Sequence, residues 1–213
     1  MSRVTFAALF IAAAVILTGC QGGPGPSASP SGPGTTPAPT LSVSVPAPSA
    51  TPTAVAGVYK PADSKGKAEN VPVPVMPELA KENSKAGLEA FIGYWYATYS
   101  YAIETGDLTA WRNITNMAIP VAIAHNDSVR LNYIEGRWMA GGRLVTPRVD
   151  VTWNSNPDRI QSAKVQVIQE AIQYYDAGGT KGQADSAATN TADAVFAKYG
   201  DGWQVTDYGS IVG

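Results

Sequence analysis

The chain has 213 residues, with 15 Lys and Arg against 17 Asp and Glu, a formal charge of −2, one His and one Cys. That balance gives no field able to steer a polyanion, and no basic cluster reverses it, so nucleic acid is excluded as a partner. A single Cys rules out an internal disulfide, and one His beside it makes no metal-ligand set.

The N-terminus is the most specific segment. Arg3 precedes an apolar run from Val4 to Leu17, which has the length of a signal-peptide core and falls short of the ~20 residues that span a bilayer. The run ends in Leu17-Thr18-Gly19-Cys20, a small-residue turn before the only cysteine. This pattern predicts a lipoprotein signal peptide over 1–19, cleavage before Cys20, and acylation of the Cys20 thiol. Two or three acyl chains at ~0.8 kcal/mol per buried methylene hold a protein to a membrane far more firmly than one. The expected location is the outer face of the cytoplasmic membrane.

Residues 20–58 are expected to be a disordered tether. Of the 37 residues from Gln21 to Gly57, 32 are Pro, Gly, Ser, Thr or Ala, and none is charged. Such a segment buries too little apolar surface to offset its ordering entropy. Its reach lies between ~35 Å as a coil and ~115 Å as polyproline II. Its Ser, Thr and Pro content also suits a glycosylated stalk, with an unmodified spacer as the alternative.

Residues 59–213 read as one globular domain, since all five Trp and all ten Tyr lie at or beyond Tyr59. Val71-Pro72-Val73-Pro74-Val75-Met76-Pro77 must be extended and lie across the surface, and Pro77 suits the first position of a short helical turn. A long helix is predicted from Ser84 to Gly106, with Leu88, Phe91, Ile92, Trp95, Tyr99, Ala102 and Ile103 on one stripe. Asp107 caps a second helix from Leu108 to about Asn116. A third is expected near Asp127 to Met139, before Gly141-Gly142.

The pattern then alternates. Val145, Val149, Val151 and Trp153 share one side of a strand, and 154–158 turn the chain. Ala163, Val165 and Val167 begin the next strand, which continues past a bulge to Ile172 and Tyr174. Asp176 to Thr191 is expected to be a mobile loop. Asp193–Tyr199 and Trp203–Tyr208 form a hairpin through Gly200-Asp201-Gly202. Helices followed by antiparallel strands predict an α+β fold, with the helices packed on a curved sheet.

Tyr59-Lys60-Pro61-Ala62, Asn70-Val71-Pro72-Val73-Pro74, Met76-Pro77, Tyr94-Trp95, Tyr99-Ser100-Tyr101-Ala102 and Glu104-Thr105-Gly106-Asp107 together resemble an uncharacterised family of actinobacterial lipoproteins. That resemblance implies no assigned activity. More loosely, a long helix ending in Gly-Asp, a second helix and a closing Gly202-Trp203-Gln204-Val205-Thr206-Asp207 strand resemble the cone fold of nuclear transport factor two and ketosteroid isomerase. The cone fold implies a cavity between helix and sheet, walled here by Trp95, Tyr99 and Trp153. The reading favoured from the residues is that the same aromatics simply fill the core, since apolar stripes at helical spacing are core more often than ligand sites.

Chemistry of the ketosteroid-isomerase kind needs a carboxylate facing a tyrosine in an apolar cavity. Asp107, Asp127, Asp150, Glu135, Tyr94 and Tyr101 are the candidates considered, but Asp107 and Asp127 read as caps and Asp150 as solvent-facing. His125 reads as a surface-loop residue. No catalytic set, cofactor or metal site emerges. The expected role is a lipid-anchored extracytoplasmic module that binds an envelope protein or a small hydrophobic ligand. The alternative is a cone-fold enzyme or ligand binder with an open pocket.

Overall fold

The computed structural model describes residues 57–211 apart from Pro157. The signal peptide, Cys20 and nearly all of the tether lie outside the described residues. What is described is an α+β fold: helices α1 (Lys85–Thr105), α2 (Thr109–Asn113) and α3 (Pro120–Leu131), then strands β1 (Trp138–Gly141), β2 (Leu144–Thr152), β3 (Gln161–Gln169), β4 (Ile172–Tyr175), β5 (Ala188–Tyr199) and β6 (Trp203–Ser210). All ladders are antiparallel, in a four-stranded sheet ordered β2-β3-β5-β6 and a two-stranded sheet β1-β4.

Helix α1 runs as its sequence signals. Ser84 is extended, and its hydroxyl accepts from the Gly87 amide at 3.0 Å, satisfying one of the amides left free at a helix start. Gly106, at φ 81°, ends the helix in the left-handed region. The apolar stripe is buried, but so are Tyr96, Thr98, Ser100 and Glu104 on its flanks. The helix is enclosed on more than one side because an N-terminal strap also covers it. Tyr59 Oη donates to Glu104 Oε2 at 2.8 Å, and Arg143 Nε and Nη2 donate to Glu104 Oε1 at 3.0 and 2.9 Å. These donors compensate a carboxylate that is 8 % exposed.

Several expected boundaries shift. Pro77 is the residue before a 3-10 turn over Glu78–Lys81 rather than its first member. The second helix is shorter than expected, and Asp107 sits one residue ahead of its N-cap, accepting from the Thr109 amide at 2.9 Å. The third helix begins at Pro120, not near Asp127, because proline's missing N–H is harmless at a first helical position. It therefore ends by Leu131, and Met139, expected to be helical, lies in β1. Asp127 is mid-helix, beside Arg130 at 3.4 Å, and caps nothing.

The two sheets are joined through one long interrupted hairpin, with β1 and β2 on one arm and β3 and β4 on the other. Across the break, Gly142 N donates to Ala171 O at 3.1 Å and Glu170 N to Arg143 O at 3.0 Å. Gly141 and Gly142 have φ of 78° and 77°, and a Cβ at Gly141 would sit 2.2 Å from Ala171 O, so the break needs glycine at both places. A second irregularity falls between Val145 and Arg148. It turns Val145 outward, 50 % exposed, while Leu144 packs inward. Val145 thus does not share the side of Val149 and Val151, because Pro147 cannot donate to the ladder and the strand bulges around it. Further bulges occur in β3–β5 and β5–β6.

The segment expected as a loop over 176–191 is partly strand-like. Ile172 and Asp185 exchange backbone hydrogen bonds at 3.1 and 2.9 Å, Gly182 N donates to Tyr174 O at 2.9 Å, and β5 starts already at Ala188. Backbone pairing needs no apolar alternation, so a small polar sequence folds back along β4 unannounced.

Candidate functional site

Where α1 and α3 meet the inward face of β3, β5 and β6, the side chains leave a cavity of about 340 Å3. Helix α1 brings Trp95, Tyr96 and Tyr99, α3 brings His125 and Ser128, and the strands bring Val167, Tyr174, Asp193, Tyr208 and Ser210, with Asp185 closing one side. A preformed cleft with aromatic walls and a few convergent polar groups has the character of a small-molecule site.

The walls are rigid. Trp95 meets Tyr96 and Tyr208 edge to face at centroid distances of 4.7 and 4.8 Å. Its indole N–H donates at 2.7 Å to Thr115 Oγ1, which in turn donates to the Trp111 carbonyl at 2.7 Å. The His125 ring stacks on Tyr99 at 5.2 Å, and His125 Nδ1 shares a hydrogen bond with Tyr208 Oη at 2.8 Å. Asp193 accepts from Tyr96 Oη at 2.7 Å and from Ser210 Oγ at 3.0 Å, one hydroxyl on each oxygen. Tyr174 Oη donates to Asp185 Oδ2 at 2.5 Å. Among the described residues, Tyr99 Oη makes no hydrogen bond within the protein.

Burial sets the electrostatics. It holds His125 below its ordinary range, against the pull of the Asp193 charge, so the imidazole is neutral near pH 7. It raises Tyr96, Tyr99 and Tyr208 well above the ordinary tyrosine value, with Asp193 adding to the effect at Tyr96 and Tyr208. Tyr174 is pushed up to about 12 by burial and by its bond to Asp185. All these hydroxyls are therefore protonated.

Of the residues singled out for a pocket, Trp95 and Tyr99 line this cavity and Trp153 does not. Trp153 packs on Trp203 at 6.2 Å, in the cluster with Phe91 and Tyr199 at the other end of the sheet. None of the candidate acids and tyrosines lies in the cavity. Asp150 pairs with Arg148 at 2.7 Å, Glu135 with Arg137 at 2.6 Å, and Tyr101 borders a separate groove beside Glu104 and Arg143. His125, expected on a surface loop, is instead a half-buried helical residue inside the cavity.

The residues that sequence reasoning missed are Tyr96, Asp193, Tyr208 and Asp185. Asp193 carried a signal, since its two-residue spacing from Val195 and Ala197 puts it on the inward face. His125 did too, lying between the buried Ala122 and Val129 at helical spacing. Tyr208 carried none, because the bulge in β5–β6 sets its direction.

A larger and more open depression of about 870 Å3 lies between the 78–81 turn and the β5–β6 hairpin, lined by Lys81, Lys198, Tyr199 and Asp201 among others. Tyr199 Oη there is already committed to Lys81 O at 2.7 Å. Tyrosine hydroxyls, the imidazole and the Asp193 carboxylate converge in the smaller cavity, while the buried Ser100 and Glu104 border the separate groove beside Arg143. Among the described residues no group of His, Cys, Asp and Glu is placed to hold a metal, and no helix is long and apolar enough to cross a membrane.

No curated protein matches the chain. A family model does, over residues 57–208, and every cavity residue except Ser210 falls within that span. The chain belongs to the family of unknown function DUF6318.

Proposed function

We propose that this protein is a lipid-anchored extracytoplasmic binding protein that takes a small ligand in the cavity between α1, α3 and the sheet. The observation that carries the reading is the 340 Å3 space itself. It is walled by rings fixed through hydrogen bonds to their neighbours, yet the hydroxyl of Tyr99, a lining residue, has no hydrogen-bond partner among the described residues. The space opens to solvent past the exposed Ser128, Asp185 and Ser210, so a small molecule can enter it without unpacking the core. The placement of a long helix across a bulged antiparallel sheet agrees with the cone-like architecture that the sequence resembles. Cys20 and the Pro-rich segment would hold the domain outside the cytoplasmic membrane.

Binding is favoured over catalysis by the state of Asp193. Each of its oxygens already receives a hydroxyl proton donor, which leaves it poorly disposed to take a proton from a substrate carbon. The test is a thermal-shift screen of small molecules on the whole chain and on Ser128→Trp, which places an indole in the cavity. Hits that stabilise the wild type and not the variant support the reading; an absence of hits, or hits indifferent to the substitution, contradict it. Anchoring is tested separately by Cys20→Ser, which should abolish incorporation of labelled palmitate. Equal labelling of both proteins would refute acylation at this sulfur.

A further inference from the structure

The cavity has one electrostatic sign. Two carboxylates border it, Asp185 and Asp193, and neither takes part in a salt bridge among the described residues. Among the described residues no Lys or Arg lines it. His125 adds no positive charge, because burial keeps it neutral. Trp95, Tyr99, Tyr174 and Tyr208 contribute rings to the remaining wall, beside aliphatic Leu144, Val167 and Ile172 and neutral polar groups. The Trp95 N–H is turned away to Thr115.

Resting on the binding role proposed above, we infer that the ligand is a small organic cation, an amine or quaternary ammonium seated among these rings with its charge toward Asp185 and Asp193. Aromatic faces attract a cation through the ring quadrupole, most strongly where water is displaced. The carboxylates supply a net charge the rings cannot, and that attraction needs no directed lone pair, so the hydroxyls already on Asp193 do not oppose it. An anion would meet two like charges and no cation. A neutral ligand would leave both carboxylates without counter-charge. Tyr99 Oη gives one further polar contact to fix orientation.

The test uses three probes of one shape and different charge: phenethylamine, 2-phenylethanol and phenylacetate, titrated calorimetrically into the whole chain in a sugar-headgroup detergent. The amine should bind about tenfold or more tighter than the alcohol, phenylacetate weakest of the three, and added salt should weaken the amine alone. Asp193→Asn, which keeps an acceptor for Tyr96, should bring the amine toward the alcohol's affinity. Asp185→Asn, on the exposed segment beside β4, repeats the test where folding is not at risk. Equal binding of amine and alcohol, or preference for the acid, would overturn the cation assignment and leave the cavity as a binding site. Silence from all three would overturn the binding role together with it.

Discussion

Two aromatic clusters sit on the same helix stripe and teach different things. At the start of α1, Phe91 packs on Trp203 at 6.3 Å, and Trp203 meets Tyr199 and Trp153 at 5.1 and 6.2 Å. Its polar atoms end on backbone carbonyls, Trp203 Nε1 on Glu82 O at 2.9 Å and Tyr199 Oη on Lys81 O at 2.7 Å. About one to two turns further on, Trp95, Tyr96 and Tyr99 line a space, and the polar atoms there meet side chains, Asp193 and the His125–Tyr208 pair. Backbone acceptors belong to the scaffold, so the first cluster closes the fold. Side-chain acceptors can be re-engaged by a guest, so the second leaves it open.

The comparison breaks most clearly at the filled end. Phe91→Ala removes a fully buried ring and should cost about 3–5 kcal/mol of stability, read as the urea midpoint at constant slope. A loss below about 1 kcal/mol would show that this end is loosely packed after all. Next comes the hinge between the two sheets. Gly142→Ala forces a side chain to φ 77° with its Cβ 2.8 Å from Ile103 Cγ2, for an expected cost of about 1–3 kcal/mol in the same assay.

At the open end the same kind of change should matter less to folding. Asp193→Ala strips the acceptor from the buried Tyr96 hydroxyl, for about 1–3 kcal/mol. Asp193→Asn should recover most of that while still losing affinity for a cationic probe.

The smallest expected effect is a pH dependence. His125 has a folded pKa below its unfolded value of 6.5, so in that window the unfolded chain binds more protons. Its contribution is present above the unfolded value and is lost as pH falls through the folded one. The groups facing it are Tyr99 from α1, Tyr208 from β6 and Asp193 from β5, and of these Asp193 opposes the shift. Urea midpoints at about pH 8 and about pH 5 should differ less in His125→Gln than in the wild type. An equal difference in the two proteins would remove His125 from the account.

The sequence showed the α+β class, the whole of α1 with both of its ends, and the last hairpin, because capping residues and three-to-four spacing are local signals. It placed Trp95 and Tyr99 together for the same reason. Trp153 falls on the expected side with Val149 and Val151 but at the far end of the sheet, a placement set by strand pairing, and Tyr208 was overlooked because strand direction past a bulge depends on the partner strand. His125 was lost through one boundary: a helix started at Pro120 aligns it with Ala122 and Val129, and one started at Asp127 leaves it in a loop. The pairing of 182–185 with β4 had no side-chain pattern to betray it.

Whether the space beside His125 is a ligand site can be read directly, because the chain holds only this one histidine to report on it. The decisive measurement is the NMR signal of its ring during titration with phenethylamine, in the wild type and in Ser128→Trp. A saturable shift in the wild type that disappears in the variant, with the variant's melting temperature unchanged, is the predicted result. A histidine signal that stays still while the amine binds, or that moves alike in both proteins, would contradict it.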